Sequence, residues 1–255
     1  MKRLAITGLC LIAATTVFAQ QQQQMKKKSP TQSKAEAAAV KAMLEAQTPD
    51  DQIRTADELI TKFSNTLYKS FALFTEADAW EAKNDHTKSI VFCEQALQAD
   101  PKNFDAETLM ANIIASTTKD TDLDKAEKLT NAAKYAKDAL DVIPTVGKPD
   151  LFQLTDDQWA KMKNQASARA WQAMGLVASV QKKADESIAD YEKGLALDPN
   201  PVLMLRVGRA LEAQKKYDEA MEWMDKCIAS PDASAQIKDI ATKDKARVMA
   251  EKPKG

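Results

Sequence analysis

The chain repeats a pattern of small residues of the kind that closely crossing helices require. Four segments, beginning at Ser70, Phe104, Ala168 and Pro201, can be laid over one another once an insertion around Thr117–Lys128 is set aside in the second. The eighth position then holds Ala77, Ala111, Gly175 and Gly208. The twentieth holds Ser89, Ala132, Ser187 and Ala220, and the twenty-seventh Ala96, Ala139, Gly194 and Cys227. A bulky side chain at a helix crossing forces the axes apart, so a column of small residues marks where helices nest. Large residues fall between these columns: Leu73, Trp80, Ile114, Trp171, Met174, Tyr191, Leu211 and Met224. One helical hairpin cannot hide its apolar face alone, so such units stack into a solenoid.

The rest of the sequence agrees. From Thr31 onward it is rich in Ala, Leu, Glu, Lys and Gln, which are strong helix formers. No segment alternates apolar and polar residues as a half-buried strand does. Pro49, Pro101, Pro144, Pro199 and Pro231 punctuate the periodic stretches. Eleven helices are expected, at about 34–47, 50–63, 66–83, 85–99, 103–118, 122–142, 156–181, 184–197, 201–214, 217–230 and 232–250. Asp50, Thr155 and Asp232 are the expected N-caps among them. The helix from Asp156 runs well ahead of its repeat and carries Trp159 and Met162, both read as core. The loop Pro144–Pro149 before it is a candidate divider between two sub-bundles.

The segment A-R-A-W-Q-A-M-G-L-V-A-S-V-Q-K-K-A-D-E-S-I-A-D-Y-E-K-G-L-A-L-D-P-N, from Ala168 to Asn200, resembles the tetratricopeptide repeat, a helix-turn-helix unit of about 34 residues. Trp171, Met174 and Gly175 fall at its W-x-x-L-G positions, and Tyr191, Leu195 and Pro199 at the later ones. The resemblance covers about residues 50–234. Ile53–Phe63 followed by Ser64-Asn65-Thr66-Leu67-Tyr68 resembles endings seen in bacterial envelope members. Glu76 stands where the family prefers Leu, Glu107 where it prefers a large apolar residue, and Ala178 where Tyr is usual. The implied fold is all-α: a solenoid of antiparallel helix pairs, about four full repeats, an N-terminal half-repeat and a C-terminal capping helix striped by Ile237, Ile240, Ala241 and Val248.

Composition excludes several function classes. Six glycines in 255 residues, none suitably spaced, leave no phosphate-binding loop. One histidine, His86, argues against histidine metal sites and a Ser-His-Asp triad. A net charge of -1 does not suit a nucleic-acid binder. There is no C-x-x-C motif, and Cys93 and Cys227 sit too far apart in a stack of helices to bridge. Asp50-Asp51 and Asp156-Asp157 open helices, where negative charge complements the dipole. No metal or organic cofactor is implied, and the chain is read as non-catalytic.

Residues 1–19 have the anatomy of a secretory signal peptide: Lys2-Arg3, an uncharged run from Leu4 to Phe18, and Val17-Phe18-Ala19 before Gln20. The run is shorter than the ~20 residues that span a bilayer, so no membrane span is expected after cleavage. Residues 20–33, rich in Gln and Lys, read as a flexible linker, 34–250 as the helical domain and 251–255 as a disordered tail. Export to the periplasm, the cell envelope or the exterior is the expectation.

The resemblance implies a concave groove lined by the first helix of each repeat. Here that face offers Phe71, Phe74 and Asp78; Asp105, Thr108 and Asn112; Arg169, Gln172 and Leu176; and Leu205, Arg206 and Arg209. The implied function is binding of a protein or peptide partner, as an adaptor or scaffold. An extended peptide or partner helix would place an acidic group near Arg169 and Arg209. The alternatives are a self-associating structural oligomer and an enzyme whose site the sequence does not advertise.

Overall fold

The computed structural model describes residues 33–148 and 154–253; the expected signal peptide and all but the last residue of the expected linker lie outside them. Among the described residues there are eleven α-helices, one short 3-10 turn (Ile143–Thr145) and no strand. In chain order the helices are α1 (Lys34–Glu45), α2 (Pro49–Lys62), α3 (Lys69–Ala82), α4 (His86–Ala99), α5 (Phe104–Thr117), α6 (Lys125–Val142), α7 (Asp156–Val180), α8 (Ala184–Leu197), α9 (Pro201–Ala213), α10 (Tyr217–Ala229) and α11 (Ala235–Glu251). The pairs α3–α4, α5–α6, α7–α8 and α9–α10 are the four repeats. The N-terminal helix α2 has a partner of its own, since Val40 and Met43 of α1 share a cluster with Ala56, Leu59 and Ala72.

Two expected N-caps move. Thr48, not Asp50, opens α2, its hydroxyl accepting the Asp51 N–H at 3.2 Å with Pro49 at the first helical position. Ser234, not Asp232, opens α11, because Ser230–Asp232 is still turning the chain. Thr155 caps α7 in a full capping box with Gln158. The loop after Pro144 does not divide two bundles: Ala115, Leu129, Ala132, Leu176 and Val177 form one cluster across α5, α6 and α7.

The small-residue columns lie at the crossings. All twelve of these residues are buried, and the twentieth position adds a polar tie. Ser89 Oγ donates to the Ala77 carbonyl at 2.8 Å, and Ser187 Oγ to the Gly175 carbonyl at 2.9 Å. The twentieth residue of each of these units therefore fastens its second helix to the eighth residue of its first. Ser187→Ala should cost about 1 kcal/mol, the net worth of one such bond, and is measured as a shift of the urea midpoint.

Three hairpins close with the same joint. Asn84, Lys182 and Lys215, each one residue past a helix C-cap, are left-handed, with φ of 59°, 64° and 61°. In each, the next N–H reaches back along the helix: Asp85 to Trp80, Lys183 to Ala178 and Lys216 to Leu211, at 2.9 to 3.0 Å. This is the Schellman arrangement, which satisfies the last carbonyls of a helix. The inserted segment replaces it between α5 and α6. There Lys125 holds Asp120, Lys128 holds Asp122 and Asp124, and Leu123 stands fully in solvent.

Cys93 and Cys227 are both buried free thiols. His86, the first residue of α4, places Nδ1 2.7 Å from Glu81 Oε2. Among the described residues no group of side chains could hold a metal ion, and no helix is long and apolar enough to cross a membrane.

Candidate functional site

The first helices of successive repeats run side by side. On α3, Phe71, Phe74 and Asp78 follow the i, i+3, i+7 spacing of one helix face. Asp105 at the start of α5 and Arg169 in mid-α7 come up beside them. Together they line a cleft of about 520 Å³. Its far wall comes from the N-terminal extension of α7, which brings in Trp159, Met162, Gln165 and Ala166. The 25 residues of α7 make this wall possible, because a helix of ordinary repeat length would begin after it. Phe104 closes the floor beside the Asn103 cap. Asn103 Nδ2 also donates to Ser70 Oγ at 2.8 Å, which in turn donates to the Ala96 carbonyl at 2.9 Å, so the cleft floor is tied across two repeats.

Trp159 and Met162 are therefore not core residues, as their helical spacing had suggested. Trp159 is half-buried on the cleft wall and Met162 is 43 % exposed. The signal that marks them is their place ahead of the repeat, where no neighbouring helix covers the face they share.

The carboxylates of the cleft carry an imbalance. Arg169 Nη2 donates to Asp105 Oδ1 at a loose 3.4 Å. Burial pushes the Asp105 carboxyl up, Arg169 opposes this, and Asp78 adds to it. Burial likewise pushes Asp78 up, again opposed by Arg169. One guanidinium thus serves two carboxylates.

The other expected groove residues divide. Asn112 and Gln172 satisfy each other across α5 and α7: Gln172 Nε2 donates to Asn112 Oδ1 at 2.9 Å, and Asn112 Nδ2 donates to the Arg169 carbonyl at 3.1 Å. They stitch the floor. Thr108 is buried, its hydroxyl turned back to the Phe104 carbonyl. Leu205 does not reach a groove; it is 4 % exposed, in one apolar cluster with Ala241 and Val248. The capping helix α11 contributes these residues at the place where a further repeat would stand.

Leu176, Arg206 and Arg209 line a second hollow, also about 520 Å³, together with Ser187 and Tyr191. Leu176 is itself buried at its base. Arg209 is engaged by α11: its Nε donates to Asp244 Oδ2 at 2.6 Å. Asp244 also meets Arg247 at 3.0 Å, and Arg247 grips Glu212 with two bonds. The expected basic end of the groove is thus neutralised by the chain's own carboxylates at Arg169 and Arg209. Arg206 differs. Burial pulls its guanidinium pKa down, the Tyr191 hydroxyl opposes this, and its Nε finds no hydrogen-bond partner among the described residues.

These surfaces define an α-solenoid with a hollowed inner face. Residues 168–201 and 203–231 match the family model described as tetratricopeptide repeat. That matched stretch, residues 168–231, is similar to tetratricopeptide repeats, units that generally mediate protein–protein interaction on a fold that is typically non-catalytic. Solved structures share the architecture. The crystal structure of TTC0263, a thermophilic TPR protein of Thermus thermophilus, matches with a TM-score of 0.59 at 13 % identity, over 79 % of this chain and 91 % of that one. PilF of Pseudomonas aeruginosa matches with a TM-score of 0.52 at 13 % identity, over 86 % of this chain and 87 % of that one. The MamA RS-1 double mutant matches with a TM-score of 0.51 at 14 % identity, over 78 % and 95 %. At such identities the likeness is one of fold. No curated protein matches the sequence.

Proposed function

We propose that this protein is an exported, non-catalytic adaptor of the bacterial cell envelope that holds an extended peptide or partner helix along its inner face. The observation that carries the reading is the cleft between α3 and the extension of α7. An open hollow with Phe74, Trp159 and the exposed Met162 on its walls offers apolar area to a partner chain without rearrangement. The leader at residues 1–19 supports export.

A photo-crosslinking residue at Met162 tests this in cells. The expected result is a discrete crosslinked protein recovered from the envelope fraction, with the mature adaptor beginning at Gln20. Phe74→Asp should abolish the crosslink while leaving the helical circular dichroism spectrum intact. Recovery of the chain in the cytosol with its leader attached refutes the export half. A crosslink indifferent to Phe74→Asp refutes the binding half.

A further inference from the structure

Resting on the groove-binding reading, we infer that the α3–α7 cleft selects a partner segment bearing a basic side chain, lysine or arginine, flanked by apolar residues. Two independent features point to a cation. The first is charge. Asp78, Asp100 and Asp105 face the cleft against Lys102 and Arg169, so the hollow is net negative. The Arg169–Asp105 pair, at 3.4 Å, is loose enough to admit a third charge.

The second feature is the state of the tryptophans. Three of the four carry an ammonium of the chain's own close over the ring: Lys88 over Trp80 at 3.7 Å, Lys193 over Trp171 at 4.1 Å and Lys226 over Trp223 at 4.0 Å. Trp159, the one in the cleft, has Lys163 at 5.9 Å, at the edge of the range where a ring attracts a cation. An indole face and a carboxylate pair at opposite sides of one apolar hollow suit the stem and head of a long basic side chain. The flanking apolar residues of the partner would cover Phe74 and Met162.

The test is selection from a random dodecapeptide display library on the full chain, run in parallel on wild type and on the Asp78→Asn/Asp105→Asn double variant, both checked for an unchanged thermal melt. The expected outcome is enrichment on wild type of peptides with Arg or Lys beside a Leu, Phe or Trp. Replacing that arginine by citrulline in the best binder should weaken its affinity at least tenfold on wild type, and by less than twofold on the double variant. Three results overturn the inference. Peptides without basic enrichment that are lost on Phe74→Asp leave the groove reading standing and remove the cation. Peptides indifferent to both sets of variants, or none at all, remove both. A concentration-dependent dimer that dissociates on Asp78→Asn/Asp105→Asn assigns the cleft to a second copy of this chain.

Discussion

The protein should melt at a higher temperature at pH 5 than at pH 8. Two carboxyls buried in the helix seams cause this. Glu76, 3 % exposed, is pushed up to about 7 by burial, with Asp57 adding to it. Glu107, 6 % exposed, is pushed up to about 7 by burial and by Asp138, with Lys134 opposing. Glu107 Oε2 has no hydrogen-bond partner among the described residues. An unfolded glutamate titrates near 4.5, so the folded chain holds these protons more tightly. Below that pH both states are neutral and no penalty exists. As pH rises from 4.5 through 7 the unfolded state ionises freely while the folded one resists, and stability falls. A difference of this size is worth about 3 kcal/mol per group. The lower end of the window is set elsewhere. Asp51, Glu58, Asp120 and Asp122 are held low by Arg54, Lys62, Lys125 and Lys128, so acid far below pH 4 removes those surface pairs. Thermal melts at pH 5 and pH 8 check the sign. Glu76→Gln/Glu107→Gln should flatten the difference, and Glu76→Leu should raise stability at pH 8 by about 2 kcal/mol, since it exchanges a desolvated carboxylate for apolar burial. A wild-type melt that does not change across this window, or falls toward pH 5, contradicts the account.

Gly175→Ala should destabilise the protein, although alanine is the better helix former by about 1 kcal/mol. A methyl group at this position would lie deep inside the contact radius of the Tyr191 ring. The ring cannot step aside, because it is 2 % exposed, inside the apolar cluster that holds Leu203, Leu211 and Met224. Overpacking of this kind costs about 1–3 kcal/mol net of relaxation, which lowers the melting temperature by roughly 2–4 °C per kcal/mol in a domain of this size. In a double-mutant cycle, Tyr191→Leu should recover at least half of the loss caused by Gly175→Ala. Gly208 is a useful control. Its added methyl would meet the Ala220 carbonyl and the Met224 side chain, each at 3.2 Å, a tight fit that a shift of a few tenths of an ångström relieves, without the deep overlap found at Gly175. An equal response at the two glycines would show that the Tyr191 ring is not the obstacle.

The helices and their crossings were legible because each repeat states them again. Gly175, Gly208 and the serines of the twentieth position could be placed at contacts from spacing alone, and the structure finds them there. Glu76 and Glu107 stood out as departures at apolar sites, though the sequence did not say how they would titrate. What escaped lies where the repetition stops. Asp244 is on the capping helix, outside any repeat, so its hold on Arg209 had no pattern to announce it. The same helix buries Leu205; of its counterparts, Phe74 and Gln172 remain half-exposed, while Thr108 is buried between its own neighbours. The cleft wall comes from the extension of α7, which no other unit shares, so Trp159 and Met162 looked like filling for a core that is not there.

The left-handed joints at Asn84, Lys182 and Lys215 have a bearing on how this chain could be improved. Such a backbone is natural for glycine, tolerable for asparagine and awkward for lysine, by roughly 1–2 kcal/mol. Two of the three bends are made by the awkward choice. The solenoid thus holds untapped resilience at Lys182 and Lys215, where an engineer could toughen the scaffold without touching the α3–α7 recognition surface.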